Sequence, residues 1–381
     1  MPCLKKKIAS QTIPAELIAI KKELMKKRRP KIQENQLSEG EHHLIEYIRH
    51  ETKKRNVNNV TRTNAYLAYY QRFPEIHWAF LGHMVSRNGG WNMTDLKGSL
   101  LTRILSSEEQ KEFFIFLERG NWLIFQDIYP QLILYEESIK RNTNLFHLLP
   151  WFHVSFFMSV IWNYFYRKRD RYLLTIALII NEQSYLEKRV IQNPYYQSTV
   201  LETLQFKLQE FLDLNQIIFP FIDSKETKII GQTIHKFASL HERILLGKRL
   251  YQLLFDPKHY VSIYQWANVQ PHTGSRKDFW PHLFNDVDGS VPGSSYQKRI
   301  KDCQIRKNAP KLYSPILKYA WEDIEQKEAE KGDWYSDWNV IDYLKKDMSK
   351  ESGDIYHEYC KTLEKIEFSI LAKEAILPKK S

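Results

Sequence analysis

The stretch from Leu145 to Tyr166 constrains the fold most, because it is the longest strongly apolar run of the chain. A helix that spans a membrane needs about 20 apolar residues, and the basic run RKRDR follows this stretch directly. However, His147, Pro150, His153 and Asn163 interrupt the run with polar groups and a helix breaker. Such groups are costly in lipid, whereas a protein interior can satisfy them. We therefore expect a central core helix here rather than contact with a membrane.

The rest of the chain is also typical of a helical protein. Its 381 residues contain only 13 glycines, 14% aromatic residues and many long helix-forming side chains. Ser106 and Glu109 can form a capping box ahead of an apolar run. These features predict an all-α, multi-helix globule with an orthogonal or bundle-like arrangement.

Further helices are expected in the second half of the chain. Heptad-like spacing in 201–218 and 237–254 predicts two neighbouring bundle helices joined through Pro220. The segment 256–315 is rich in proline, glycine and serine and is expected to be a long irregular loop packed on the body. Helical patterning returns in 315–330, 337–348 and 355–376. We divide the chain into an N-terminal arm (1–40), a helical domain (41–348) and a helical tail (349–381).

The net charge of +11 is concentrated in the arm, where Met1–Lys31 hold ten basic and two acidic residues. The arm can form a short amphipathic helix with Leu17, Ile20 and Leu24 on one stripe. We interpret it as a partly disordered, solvated leader. The alternative is a weak contact of the arm with nucleic acid or with a membrane surface.

The cysteines are Cys3, Cys303 and Cys360, an odd number without a CxxC motif. Neither a disulfide framework nor a zinc knuckle is predicted, and a reducing compartment fits best. The N-terminal sequence lacks an uninterrupted secretory h-region. These observations predict a cytoplasmic location.

The densest polar cluster in an apolar neighbourhood is HMVSRNGGWNMTDLKG, residues 83–98. His83 and Arg87 are one helical turn apart and are expected to lie on the same face. Asn88 and the glycines after it favour a helix end, and Thr94 with Asp95 favours a new helix start. The pattern predicts a helix-turn-helix corner.

This corner has two interpretations. As a site, Arg87 and free backbone amides could hold a small anion, Trp91 could stack on a ring, and Asn88 and Asn92 could supply hydrogen bonds. As structure, the same residues are a well-capped turn whose polar groups satisfy one another. We favour the structural interpretation for the corner, although it remains the leading candidate site.

A second candidate is the aromatic loop QPHTGSRKDFWPHLF, residues 270–284, which contributes His272 and Arg276. If this loop lies against the corner, the two form a pocket, and His83, Arg87, Asp95 and His272 become candidate participants in an enzyme reaction. In the structural interpretation, the loop only packs against the helical body.

Three histidine pairs are each six residues apart, which places the two rings on different faces of a helix: His77 with His83, His147 with His153, and His235 with His241. No metal site is therefore predicted. The sequence also lacks GxGxxG, a Walker A loop and GxSxG, so no nucleotide or other cofactor is predicted.

The segment WAFLGHMVSRNGGWNMTDLKG together with HTGSRKDFWPHLF resembles the YppC-like proteins of Bacillus and its relatives, a family defined by a domain of unknown function. The likeness extends roughly from the forties to the three-forties. It implies a soluble protein of a spore-forming bacterium and brings no known activity or site residues. Our leading hypothesis is a cytoplasmic protein that binds a small ligand or a protein partner, with an enzyme of unknown reaction as the alternative.

Overall fold

The computed structural model describes residues 15–26, 35, 37–203, 216–224, 226–234, 236–289, 294–346 and 353–376. Within these ranges the protein is mainly helical, as expected, but it also contains small two-stranded sheets. The prediction of an all-α fold is therefore correct in that helices dominate, but the described residues also include strands.

Seven helices form most of the first half of the described chain. They are α1 (Ala15–Met25), α2 (Glu39–Arg55), α3 (Asn59–Arg72), α4 (His77–Asp95), α5 (Ser107–Lys140), α6 (Phe156–Lys168) and α7 (Arg171–Leu186). The predicted capping box is confirmed, because the Ser106 side chain accepts from the Glu109 amide and the Glu109 carboxylate accepts from the Ser106 amide.

Helix α4 lies at the centre, in contact with α3, α5 and α7. Fourteen of its 19 residues are buried, including the largest side chains Trp78, Phe80 and Trp91. A helix that is buried on nearly every side cannot be amphipathic, which explains why its sequence shows no clear polar face.

The apolar run at 145–166 is a core segment, but not the single helix that the sequence predicts. A 3₁₀ helix, Phe146–Phe152, contains Pro150 and ends at His153, whose φ of 58° is left-handed. Ser155 then caps α6 by accepting from the Met158 amide. The proline and the serine cap divide the run in two. Of the described helices, none combines the length and the apolar character required to cross a bilayer.

The first predicted bundle helix, 201–218, is wrong at its end, because Gln216 to Ile218 lie on a strand, whereas Leu201 ends a short π-helix. Residues 216–233 form an antiparallel hairpin of β1 (Gln216–Asp223) and β2 (Glu226–Thr233), in which Pro220 faces Ile229. The run IIFPFI is rich in β-branched and aromatic residues, which favour strands. The remainder of that prediction, 204–215, lies outside the described residues. The second predicted helix is present as α8 (Leu240–Leu254).

The segment 256–315 is largely irregular, as expected, although it contains α9 (Tyr260–Val269) and a single 3₁₀ turn, Arg276–Asp278. Four two-residue strands follow: β3 (Phe284–Asn285) pairs in parallel with β6 (Leu312–Tyr313), and β4 (Ile300–Lys301) pairs with β5 (Gln304–Ile305) in the antiparallel sense. The helix predicted over 315–330 is wrong, because only Leu317–Ala320 is helical. A 3₁₀ helix (Trp338–Leu344) and α10 (Tyr356–Ile376) complete the described chain.

Helix α1 belongs to the segment that we described from the sequence as an arm. Its stripe of Leu17, Ile20 and Leu24 is buried, and the helix contacts α6. The Lys21 ammonium lies 3.4 Å from the centre of the Trp338 ring. The predicted stripe therefore packs on the protein body and leaves the lysines at its edges.

The structure joins Cys303 and Cys360 in a disulfide, with a Cα–Cα distance of 5.4 Å. This corrects the expectation of no disulfide. That expectation relied on local motifs, and no local motif links two cysteines that are 57 positions apart. The bridge ties the β4–β5 hairpin to α10. Such a crosslink stabilises a protein mainly by restricting the unfolded chain.

We predict that Cys303→Ser lowers the free energy of unfolding of the oxidised protein by about 2–4 kcal/mol. Urea unfolding under oxidising and reducing conditions measures the difference. Cys3→Ser is the control, because Cys3 is not part of the bridge, and it should keep the difference between oxidising and reducing conditions. Equal stability of oxidised wild type and Cys303→Ser would show that the bridge contributes nothing.

Candidate ligand-binding site

The predicted corner at residues 83–98 is not a turn. Helix α4 runs without interruption through Asn88, Gly89 and Gly90 and ends at Asp95. Thr94 does not cap a following helix, because its hydroxyl donates to the carbonyl oxygen of Gly274 over 2.6 Å. The residue types that suggest helix caps serve close packing instead.

Gly90 shows what the packing requires. A methyl group at this position would lie 2.4 Å from the Asn59 Oδ1 atom and 2.6 Å from the His272 Nε2 atom. These two atoms are themselves hydrogen-bonded at 2.8 Å. Glycine therefore lets α3 and the 270–284 loop meet directly on the surface of α4.

His83 and Arg87 lie on the same face of α4, as expected. The Arg87 Nε atom donates to His83 Nε2 over 3.0 Å, so His83 Nδ1 carries the proton and donates to the Thr63 carbonyl over 2.8 Å. Burial, and then the charge of Arg87, lower the pKa of His83 well below its usual value. His83 is therefore neutral, and both of its ring nitrogens are occupied.

Arg87 holds the end of α9. Its Nη2 atom donates to the carbonyls of Ala267 and Gln270, and its guanidinium lies 4.7 Å from the centre of the Trp266 ring. A cation at a helix C-terminus is stabilised by the helix dipole. Burial lowers the pKa of Arg87 to about 10, which leaves it charged at neutral pH.

Asn88 and Trp91 also have internal contacts. The Asn88 amide pairs with the backbone of Ile218 in both directions, each over 2.9 Å, and so attaches β1 to α4. Trp91 is fully buried with its ring 4.6 Å from that of Phe279. His272 has one nitrogen on Asn59 and the other 3.7 Å from the Asp278 carboxylate. We call His83, Arg87 and His272 the Arg87 cluster.

The remaining predicted residues meet in a second cluster at the end of α4. Arg276 Nε lies 2.8 Å from both Asp95 oxygens, and its Nη2 donates to Asn92 over 3.1 Å. Its Nη1 donates to the Tyr359 hydroxyl over 2.6 Å. Burial opposes the charge of Arg276, but Asp95 and then Tyr359 outweigh this effect and raise its pKa.

The second cluster borders a cavity of about 160 Å³, which we call the Arg276 cavity. Asn92, Asp95, Arg276 and Tyr359 line its polar side. Its walls are mostly apolar side chains from α5, the hairpin, the segment between β2 and α8, and α10, including Phe113, Phe116, Ile217, Phe237, Leu363 and Ile366.

Gln216 on β1 and Thr362 on α10 also line the Arg276 cavity. Both are at least 95% buried, and among the described residues neither the Gln216 Oε1 atom nor the Thr362 Oγ1 atom has a hydrogen-bond partner. Buried polar atoms normally have one. Sequence reasoning missed both residues and Tyr359, because they lie on a misassigned strand and on the predicted tail. Their identities alone carry no signal.

Within the described ranges, no group of three or more histidine, cysteine, aspartate or glutamate residues is arranged to hold a metal ion. His77 contacts Tyr251, and His147 lies 2.6 Å from Glu41. His235 of the third pair lies outside these ranges.

With this geometry in view, the chain can be compared with known proteins. A family model with the description "Protein of unknown function (DUF2515)" matches residues 54–360. The chain belongs to this family. It is 42% identical over 285 residues to the Bacillus subtilis (strain 168) protein named "Uncharacterized protein YppC", over 70% of this chain and 88% of that protein. This confirms the resemblance found in the sequence. No solved structure matches.

The DUF2515 match includes both polar clusters and most of the Arg276 cavity. Gln216 and Tyr359 lie inside it, whereas Thr362 lies two residues beyond its end. The two clusters are therefore features of the part of the chain that defines the family.

We predict opposite effects for two glycine substitutions in buried helices. Gly90→Ala should lower the free energy of unfolding by about 1–3 kcal/mol, because the new methyl group overlaps Asn59 and His272. Gly120→Ala on α5 is the matched control: nothing lies within 4 Å of the added atom, and alanine should stabilise the helix by about 0.5–1 kcal/mol.

Chemical denaturation of both variants measures these changes. Equal stabilisation by both substitutions would mean that Gly90 is not needed for the contact of the loop with α4.

Proposed function

We propose that this protein binds a small, uncharged molecule in the Arg276 cavity. The observation that carries the proposal is the pair of unpartnered buried atoms, Gln216 Oε1 and Thr362 Oγ1, on the wall of an otherwise mostly apolar cavity. A binding site of this composition is typical of proteins that recognise a mainly apolar ligand by a few polar contacts.

The charges around the cavity argue against an anionic ligand in it. Arg276 donates from all three of its nitrogens, to Asp95, Asn92 and Tyr359. Asp95 neutralises its charge. An incoming anion would have to displace these contacts, whereas an uncharged hydroxyl or amide needs only the free oxygens of Gln216 and Thr362.

The volume limits the size of the ligand. A dry cavity of about 150 Å³ admits a molecule the size of benzene. The Arg276 cavity, at about 160 Å³, therefore suits a ring or branched alkyl body with one hydrogen-bonding group. The polar group should donate to Gln216 Oε1, which can only accept.

The other interpretations from the sequence have less support. An enzyme that uses His83 and Arg87 would need them to reach a substrate, but both are at least 99% buried. Both ring nitrogens of His83 and the Nε and Nη2 atoms of Arg87 are hydrogen-bonded to neighbouring groups, and only Arg87 Nη1 has no partner among the described residues. A membrane contact through α1 would need its apolar stripe, which packs on α6. We propose neither.

Three probes of similar size test the proposal: benzyl alcohol, toluene and benzoate. We expect benzyl alcohol to bind most tightly, toluene more weakly, and benzoate not measurably, because Arg276, the one basic residue among the described residues that line the cavity, is already paired with Asp95. Ligand-observed NMR titration measures the affinities. Tighter binding of benzoate than of benzyl alcohol would contradict the proposal.

Thr362→Val removes the hydroxyl while keeping the shape of the side chain. We expect it to weaken benzyl alcohol binding about two- to tenfold, the worth of one hydrogen bond, and to leave toluene binding unchanged. Thr175→Val on α7 is the control, since Thr175 is equally buried but does not line the cavity. Identical benzyl alcohol affinities for the two variants would exclude Thr362 from the site.

A further inference from the structure

A second cavity, of about 220 Å³, lies among α3, α4, α5, α7 and α8, and we call it the Glu182 cavity. It shares one wall with the Arg276 cavity, formed by Phe116, Leu117, Ile217, Ile234 and Phe237. Its polar groups are different from those of the Arg276 cavity.

Glu182 on α7 is the distinctive group of this cavity. Its Oε2 atom accepts from the Trp78 indole over 3.1 Å, and its Oε1 atom accepts from the Gln183 amide over 3.2 Å. Among the residues that the structure describes, no basic side chain forms an ion pair with it. Neutral donors alone hold this carboxyl group.

The two arginines that line the cavity are already neutralised by other carboxylates. Arg62 Nη2 lies 2.5 Å from Glu118, and Arg243 Nη2 pairs with Glu187. When Glu182 is ionised, the cavity therefore carries one uncompensated negative charge. Glu182 is half-buried, and a charge that is partly withdrawn from water without a counter-ion is unfavourable, so a proton or a cation stabilises the carboxyl group.

The pKa of Glu182 reflects this situation. Burial raises it to about 8, with a smaller contribution from the negative charge of Asp127, although the hydrogen bonds from Gln183 and Trp78 act in the opposite direction. The carboxyl group is therefore mostly protonated at neutral pH and mostly ionised at pH 9.

The rest of the cavity wall is suited to an organic cation. Four aromatic rings line it, those of Tyr66, Trp78, Phe116 and Phe237, and ring faces attract cations in a desolvated site. Two glycines widen it: Gly82 lies against the Trp78 ring, and Gly120 has open space where a side chain would begin.

We propose that the Glu182 cavity binds a small organic ammonium ion, with the Glu182 carboxylate as its counter-ion and the surrounding aromatic rings as its wall. The cation takes the place of the proton on the carboxyl group. This site is separate from the one under Proposed function and does not depend on it.

The proposal predicts the direction of the pH dependence. Binding requires ionised Glu182, so affinity should rise about tenfold per pH unit from pH 6 towards 8 and then level off, with release of up to one proton. The charged and titratable groups around Glu182 are Arg62 with its partner Glu118, Arg243 with its partner Glu187, Tyr66, whose pKa burial raises, and Asp127. Burial raises the pKa of Asp127 to about 7, so Asp127 ionises within this range, and its negative charge raises the pKa of Glu182. Asp127 accepts a hydrogen bond from Asn181 and is not among the residues that line the cavity.

Tetramethylammonium chloride is the probe, because its charge does not change with pH, and tert-butanol is its uncharged counterpart. Calorimetric titration of the full chain from pH 6 to 9, in buffers with different ionisation enthalpies, measures affinity and proton release together. We expect tetramethylammonium binding to tighten with pH, and tert-butanol binding to remain constant.

Three variants locate the site. Glu182→Gln keeps the acceptor for Trp78 and mimics the protonated state; it should weaken tetramethylammonium binding at least about tenfold at pH 9 and remove the pH dependence. Gly120→Leu fills the cavity without altering Glu182 and should abolish binding. Thr362→Val, in the other cavity, should bind the cation as the wild type does.

The proposal is overturned if wild-type protein fails to bind tetramethylammonium at pH 9, or if its affinity does not change with pH. It is also overturned if either Glu182→Gln or Gly120→Leu binds as tightly as wild type at pH 9. Gly120→Leu leaves the carboxyl group intact, so the proposal can still be tested if Glu182→Gln fails to fold.

Discussion

The burial of α4 on nearly all sides is the constraint on which the rest of the structure depends. Each polar side chain on this helix needs a partner inside the protein. Asn88 finds it in the backbone of β1, Arg87 in the carbonyls at the end of α9, and Thr94 in the carbonyl of Gly274. Apolar contacts alone would allow these segments to slide, whereas hydrogen bonds of fixed geometry set one register. The hairpin, α9 and the 270–284 loop are thereby positioned around one helix.

Features that depend on neighbouring residues were predictable from the sequence. The capping box of Ser106 and Glu109, the apolar stripe of α1 and the pairing of His83 with Arg87 all follow from spacings of three or four positions. These spacings define one face or one end of a helix whatever else the chain does. The adjacency of the loop and α4 was also foreseen, although as a hypothesis about a pocket.

Features that depend on distant residues were not predictable. Glycine and asparagine favour helix ends, and the same residues permit close packing inside a helix. Gly90 belongs to the second case only because His272, far along the chain, contacts it. Similarly, Gln216 and Thr362 line a cavity only because the hairpin and α10 meet there. A single sequence shows the identity of these residues but not that they are adjacent in space. The unpartnered oxygens of Gln216 and Thr362 in the Arg276 cavity therefore could not be predicted.

The two cavities share a wall but differ in how their charges are balanced, and this difference determines what each can accept. In the described lining of the Arg276 cavity, Arg276 and Asp95 neutralise each other, and the polar atoms left without partners are the neutral oxygens of Gln216 and Thr362. In the Glu182 cavity, each arginine has its own carboxylate and one acid is left over. A buried pair adds little to stability beyond what apolar residues would give, and a half-buried acid without a counter-ion lowers stability once it ionises. The hydrogen bond from Trp78 gives the Glu182 carboxyl group a structural role, but a neutral amide could accept that bond as well, whereas only a carboxylate can balance a bound cation.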